Sequence, residues 1–262
     1  MVFALLEILA HLAHERRTAA VQLRRASGEP LGVVVVWEGR LCFARAHGRR
    51  GALRLPEPLR APLRQLIANG GGGPALQELL ARLGAPEAEA LRSAWVGWLA
   101  EQLRAISEVS TDERLRARWR PLEGCFEPRL CLGALEVYLA AVEGVTPPPP
   151  NDAARFFEIA RRRGDLALLL VGDPLADEGR YVPVRVHGFS DDDLWLVARL
   201  SALAARWVRQ PALAATGTSP TRLSALCPDG AWVCVDGGEA ICLTHFPAPP
   251  ESGGEELAEL AT

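Results

Sequence analysis

Lysine is absent from all 262 residues. That single absence excludes a P-loop phosphate cradle, a Schiff-base amine and a Ser-Lys dyad, each of which needs the lysine ammonium or amine. Methionine occurs only at position 1, and aromatic residues make up just 6% of the chain. No apolar run approaches the ~18 residues of a membrane-spanning helix, so no membrane partner is expected. The opening MVFALLEILAHLAHERR carries its charges after its apolar part and lacks a basic leader, which reads against a signal peptide and for a cytoplasmic protein. Paired cysteine spacing is missing too: Cys42, Cys125, Cys131, Cys227, Cys234 and Cys242 form no CxxC and no zinc-type set. Cys42, Cys234 and Cys242 lie inside apolar strand-like runs, where a reduced cysteine acts as a small hydrophobe.

What is present is arginine. All 29 basic residues are guanidinium groups, set against 32 acidic ones for a net charge of −3. They are spread along the chain instead of forming a basic domain, which argues against nucleic acid as a partner. A GC-rich bacterial coding bias accounts for the arginine and alanine, and guanidinium also suits carboxylate pairing at interfaces. With 49% hydrophobic and 23% charged residues, the chain is long enough for two domains, each burying a core.

The clearest local signal is Leu31 to Ala46, two strand-like arms around Glu38-Gly39. A glycine there supplies the positive φ that a two-residue hairpin turn needs. Before it, Phe3 to Arg17 places Leu5, Ile8, Leu9 and Leu12 at helical spacing, and Thr18 to Arg25 alternates as a strand. After it come a proline-punctuated helical segment at 56–69, four successive glycines within Asn69 to Pro74, and a helix from Pro86 to about Val109 with a Leu91, Trp95, Trp98, Gln102 and Ile106 stripe. Arg118 to Phe126 reads as an edge strand and turn, and Leu132 to Val142 as a helix. Pro147 to Pro150 is the best domain boundary, because consecutive prolines form a semi-rigid extended spacer.

Beyond that boundary the order is helix (Ala153 to Arg163), two strands (Leu166 to Val171 and Tyr181 to His187), a long helix capped by Ser190, and three strands at about 222–227, 231–236 and 239–246. Pro183 marks its strand as an edge. On the long helix, Leu196, Leu200, Leu203 and Trp207 are the expected core stripe, with the small residues Ala198, Ser201, Ala202 and Ala205 facing outward. The fold class is therefore α+β, in two mixed domains that each pack a small, mostly antiparallel sheet with helices.

Residues 1–145 resemble the bacterial DUF4388 family, grouped with PATAN domains. The resemblance rests on the leading helix before the Arg17-Thr18-Ala19-Ala20-Val21 strand, on the hairpin arm Gly39-Arg40-Leu41-Cys42-Phe43-Ala44, and on Trp119, Gly124 and Phe126 before the last helix. A helical insertion at about 56–115 departs from the family's compact pattern. Residues 152–262, with a tail from about 247, are similar to the roadblock/LC7 family in element order, and the usual closing helix would come from Glu255 to Ala261. The two resemblances imply a non-enzymatic bacterial signalling adaptor or regulator of a Ras-like small GTPase in polarity, motility or related signalling. They imply a homodimer formed through the long helix and an edge strand, with Ala198, Arg199, Ala202, Ala205 and Arg206 at the interface.

His11 and His14 are three apart without a third ligand, and Asp191, Asp192 and Asp193 suit a helix N-terminus without further metal ligands. His187 with those aspartates, or His245 with Cys242, would be the seats of an enzyme, but neither supplies a nucleophile, base and orienting group. No catalytic, metal or cofactor-binding residue is assigned, and a small-molecule sensor is the alternative function.

Overall fold

The computed structural model describes residues 2–49, 60–61, 81–108, 115–122, 128–143, 151–163, 165–172, 181–208 and 222–248. The four-glycine run, the prolines at 147–150, Gly124 and Phe126, the 56–59 and 62–69 parts of the proline-punctuated segment and the tail beyond 248 lie outside them. The fold is α+β. The chain divides into two compact units, His11–Ala141 and, together with Met1–Ala10, Val142–Thr262. Each is built on an antiparallel sheet. Helix α1 (Val2–His14) spans the division near its end and buries Leu5, Leu6, Leu9 and Leu12.

The first unit carries a sheet of order β3-β2-β1-β4, made of β1 (Ala19–Arg24), β2 (Pro30–Trp37), β3 (Arg40–Ala46) and β4 (Arg116–Pro121). Strict alternation buries Ala19, Val21 and Leu23 on β1 and Val34 and Val36 on β2, since successive side chains leave a strand on opposite faces. Glu38 and Gly39 have φ of 50° and 82°, the paired positive values of a primed hairpin turn. The turn is tied down as well: Glu38 N donates to Thr18 Oγ1 at 3.0 Å and Gly39 N to the Arg17 carbonyl at 3.0 Å. A Cβ on Gly39 would stand 2.8 Å from the Ala13 carbonyl oxygen and 3.1 Å from its Cα, both rigid backbone atoms. Gly39→Ala is therefore expected to cost about 2 kcal/mol, from left-handed strain plus displaced backbone, as a drop in the urea midpoint at unchanged slope. An unchanged midpoint would show that the turn relaxes without loss.

Helix α2 (Ala85–Glu108) lies on β3, burying Leu91, Leu99, Leu103 and Ile106. The buried Gln102 accepts from Ala46 N at 3.0 Å, satisfying the backbone where β3 ends. Trp95 and Trp98 stack at 4.9 Å on the half-buried side of the stripe, with Trp95 Nε1 donating to the Leu130 carbonyl at 3.0 Å. Helix α3 (Ala134–Val142) receives Arg104 at its C-terminal end, where the guanidinium donates to the Ala140 and Ala141 carbonyls at 3.1 and 3.0 Å.

The second unit carries a sheet of order β6-β5-β9-β8-β7, made of β5 (Leu166–Gly172), β6 (Tyr181–His187), β7 (Arg222–Cys227), β8 (Gly230–Asp236) and β9 (Ala240–Pro247). β5 and β9 are buried on both faces, which explains their continuous apolar runs. Helix α4 (Asp152–Arg163) covers one face, with Phe157 at the centre of a cluster holding Ala153, Ala160, Leu169, Val235 and Cys242. Asn151 caps it, accepting from Ala154 N at 3.1 Å while its amide donates to the Gly237 carbonyl. Helix α5 (Leu194–Val208) packs on β6, β9 and β5.

Candidate interaction surface

Helix α5 begins later than its sequence indicates. Asp191 to Asp193 form a turn before the helix, and the Asp193 carbonyl accepts the first helical bond from Val197 N at 3.0 Å. The Asp193 carboxylate receives Ser190 N at 2.7 Å, so this acid is used in shaping the helix start.

The phase of the helix differs from the expected core stripe. Leu194, Val197, Ser201 and Ala204 are buried, and Ser201 Oγ donates back to the Val197 carbonyl at 2.7 Å. Trp195, Leu196 and Leu203 are 37%, 39% and 40% exposed, which corrects the assignment of Leu196 and Leu203 to the core; Leu200 and Trp207 are half-buried on its flank. Of the residues expected at an interface, Arg199, Ala202 and Arg206 are exposed and share the outward sector with Trp195, while Ala198 and Ala205 sit half-buried at its margin. The Arg199 guanidinium lies 5.8 Å from the Trp195 ring centroid, a cation–π pairing that holds both against the helix. The outward arginines were the available clue: Arg199 and Arg206, seven apart, mark one side of the helix, and Val197, Ser201 and Ala204 lie opposite.

The two sheet edges differ. β6 carries Pro183, a register shift opposite Leu169/Leu170, and Arg185 pairing with Glu158 at 3.1 Å, all devices that blunt an edge. Glu158 also accepts from Arg161 at 2.8 Å, and that contact holds its carboxyl below the usual range. β7 has neither proline nor register shift, pairs only β8 among the described residues, and presents Leu226 78% exposed.

The other candidates come apart. Cys242 points into the α4 cluster and contacts Thr244 Oγ1 at 3.5 Å, whereas His245, an odd number of residues along β9, lies on the opposite face beside Trp232 at 4.8 Å. His11 pairs with Glu15 at 3.2 Å and meets Trp119 edge-on at 6.1 Å. Among the described residues no three His, Cys, Asp or Glu side chains converge to hold a metal ion, and no helix is long and apolar enough to cross a membrane. A surface groove of about 390 Å³ on α4 is lined by Asn151, Ala154, Arg155, Glu158, Ile159 and Arg162.

Burial raises the thiols of Cys234 and Cys242 from 9.0 to about 12, with Cys242 adding to the effect on Cys234. Because the folded values lie above the unfolded one, their contribution to stability is complete below pH 9 and is lost as pH rises toward 12. Thermal unfolding across that window is expected to show a steep alkaline loss that Cys234→Ala and Cys242→Ala flatten. Identical pH profiles for variants and parent would assign the loss to other groups.

Comparison of the chain with known protein families, with curated proteins and with solved structures finds no match.

Proposed function

We propose that this protein is a non-enzymatic bacterial signalling adaptor that works through protein–protein contacts, as a cytoplasmic homodimer whose partner is a Ras-like small GTPase. The observation that carries the reading is the outward face of α5, where Trp195, Leu196 and Leu203 lie exposed in the same sector as Arg199 and Arg206. Exposed aromatic, leucine and arginine side chains gathered in one helical sector have the composition of an interface. The element order of the second unit, α4-β5-β6-α5-β7-β8-β9, is the one the roadblock/LC7 resemblance implies. Its long helix and unblunted edge strand are the two elements through which such domains pair.

Two copies of α5 packed antiparallel would set the Asp191 and Asp192 end of one against the Arg206 end of the other, which favours a twofold arrangement. The partner GTPase rests on the family resemblance, and the exposed arginines Arg199 and Arg206 suit acidic groups on it.

The test is sedimentation of the full-length protein over a concentration series, followed by titration with small GTPases of the source organism loaded with GDP or a non-hydrolysable GTP analogue. A dimer that binds one of them saturably is the expected result. A chain that stays monomeric at its highest soluble concentration and binds none of them overturns the reading.

A further inference from the structure

Cys42 and Cys131 lie 89 positions apart in sequence, yet their Sγ atoms stand 2.9 Å from each other inside the first unit. That is within about 1 Å of a covalent sulfur–sulfur bond. The backbone is arranged for the approach. Leu41 and Leu132 exchange both main-chain hydrogen bonds, Leu41 N to the Leu132 carbonyl and Leu132 N to the Leu41 carbonyl, each 2.8 Å. In an antiparallel pairing the next residues along, Cys42 and Cys131, occupy a non-hydrogen-bonded position. There the Cα atoms come to about 4.5 Å and the side chains are closest, within the range that a disulfide bridges.

A third feature turns the thiol toward its partner. The β2–β3 register runs Val35↔Phe43 and then Val36↔Leu41, so Cys42 is the unpaired extra residue of a bulge. Bulges re-aim side chains, and here Leu41 and Cys42 are buried in succession where alternation would separate them. Cys234 and Cys242 provide the contrast: they lie on adjacent strands, but the register pairs Cys234 with Leu243 and Val235 with Cys242, which sends the two thiols to opposite faces.

We propose that Cys42 and Cys131 form a redox-responsive pair that closes into a disulfide on exposure to peroxide, fastening the edge strand β3 to the segment that leads into α3. One sulfur attacks hydrogen peroxide and becomes a sulfenic acid, releasing one water. The second sulfur displaces that hydroxyl, the sulfur–sulfur bond forms, and a second water leaves. Two thiols are oxidised by two electrons and one peroxide is reduced. A thiol or thioredoxin-type reductant reverses the step by exchange. The pair is only 5% and 3% exposed, which admits a small oxidant ahead of a bulky disulfide. The hydrogen bond to Cys131, together with burial, holds the Cys42 thiol strongly protonated, so closure is slow at neutral pH. In a reducing compartment the pair is a dithiol at rest.

The test treats the folded full-length protein with hydrogen peroxide, blocks remaining thiols with iodoacetamide under denaturing conditions, and digests with trypsin. Because the chain has no lysine, cleavage at arginine alone releases Leu41 to Arg45 and Leu130 to Arg155, each with one cysteine. The expected product is a single linked species lighter by two hydrogens than the sum of the two peptides, separated again by dithiothreitol. The oxidised protein is also expected to unfold at a higher temperature than the reduced one, a shift absent in both Cys42→Ala and Cys131→Ala. Recovery of both peptides unlinked, whether alkylated or carrying added oxygen on sulfur, overturns the proposal. So does a thermal shift that persists in either variant.

Discussion

Exchanging Leu196 and Leu203 together for arginine is expected to convert the proposed dimer to a monomer and leave the fold intact. Both side chains are about 40% exposed on α5, so their removal forfeits only the part that a second copy would cover. Full burial of a leucine contributes about 1.5–3 kcal/mol, and the exposed share is roughly 0.6–1.2 kcal/mol for each. Four such side chains meet in a symmetric pair, giving about 2–5 kcal/mol, a weakening on the order of 10² to 10³-fold. New guanidinium groups beside Arg199 and Arg206 add like-charge repulsion across the twofold axis, while arginine keeps good helix propensity. Sedimentation reports the change of state, and far-ultraviolet circular dichroism with the unfolding midpoint reports the fold. A variant that sediments as the parent does would remove α5 from the interface.

Phe157→Ala is expected to be the most damaging single truncation in the second unit. The ring is 2% exposed, in a buried cluster that holds Leu169, Val235 and Cys242 of the sheet and Ala153 and Ala160 of α4. Alanine leaves a cavity that the surrounding small residues cannot fill, because β5 and β9 are pinned by neighbours on both sides. The loss is roughly 3–5 kcal/mol in urea unfolding, against less than about 1 kcal/mol for Phe157→Leu if the cluster repacks. A loss below about 1 kcal/mol for alanine would mean that α4 is not held by this contact.

Much of the architecture was legible from local chemistry. The Glu38-Gly39 turn, the alternation of β1 and β2, and the long run of α2 follow from rules that operate within a few residues: positive φ at a glycine, a side-chain period of 2, a period of 3.6. Pro183 marked β6 as an edge because a proline cannot donate to a second neighbour, and β6 does end its sheet. Gln102 in the α2 stripe had no local meaning; its role appears only when the end of β3 arrives with an unpaired Ala46 N–H.

The phase of α5 could not be settled by periodicity, since 13 of its 15 residues are uncharged and both sides can be buried. The sheet decided it. Packed on β6, β9 and β5, the helix buries Leu194, Val197, Ser201 and Ala204 and leaves Trp195, Leu196 and Leu203 facing out.

By itself, the sequence determined the elements, their order and the α+β class, because turn chemistry and hydrophobic period are properties of neighbouring residues. Only the tertiary structure decided which side of α5 faces outward and that Cys42 meets Cys131. Both depend on which distant strand or segment fills the space beside a residue, and no interval along the chain encodes that.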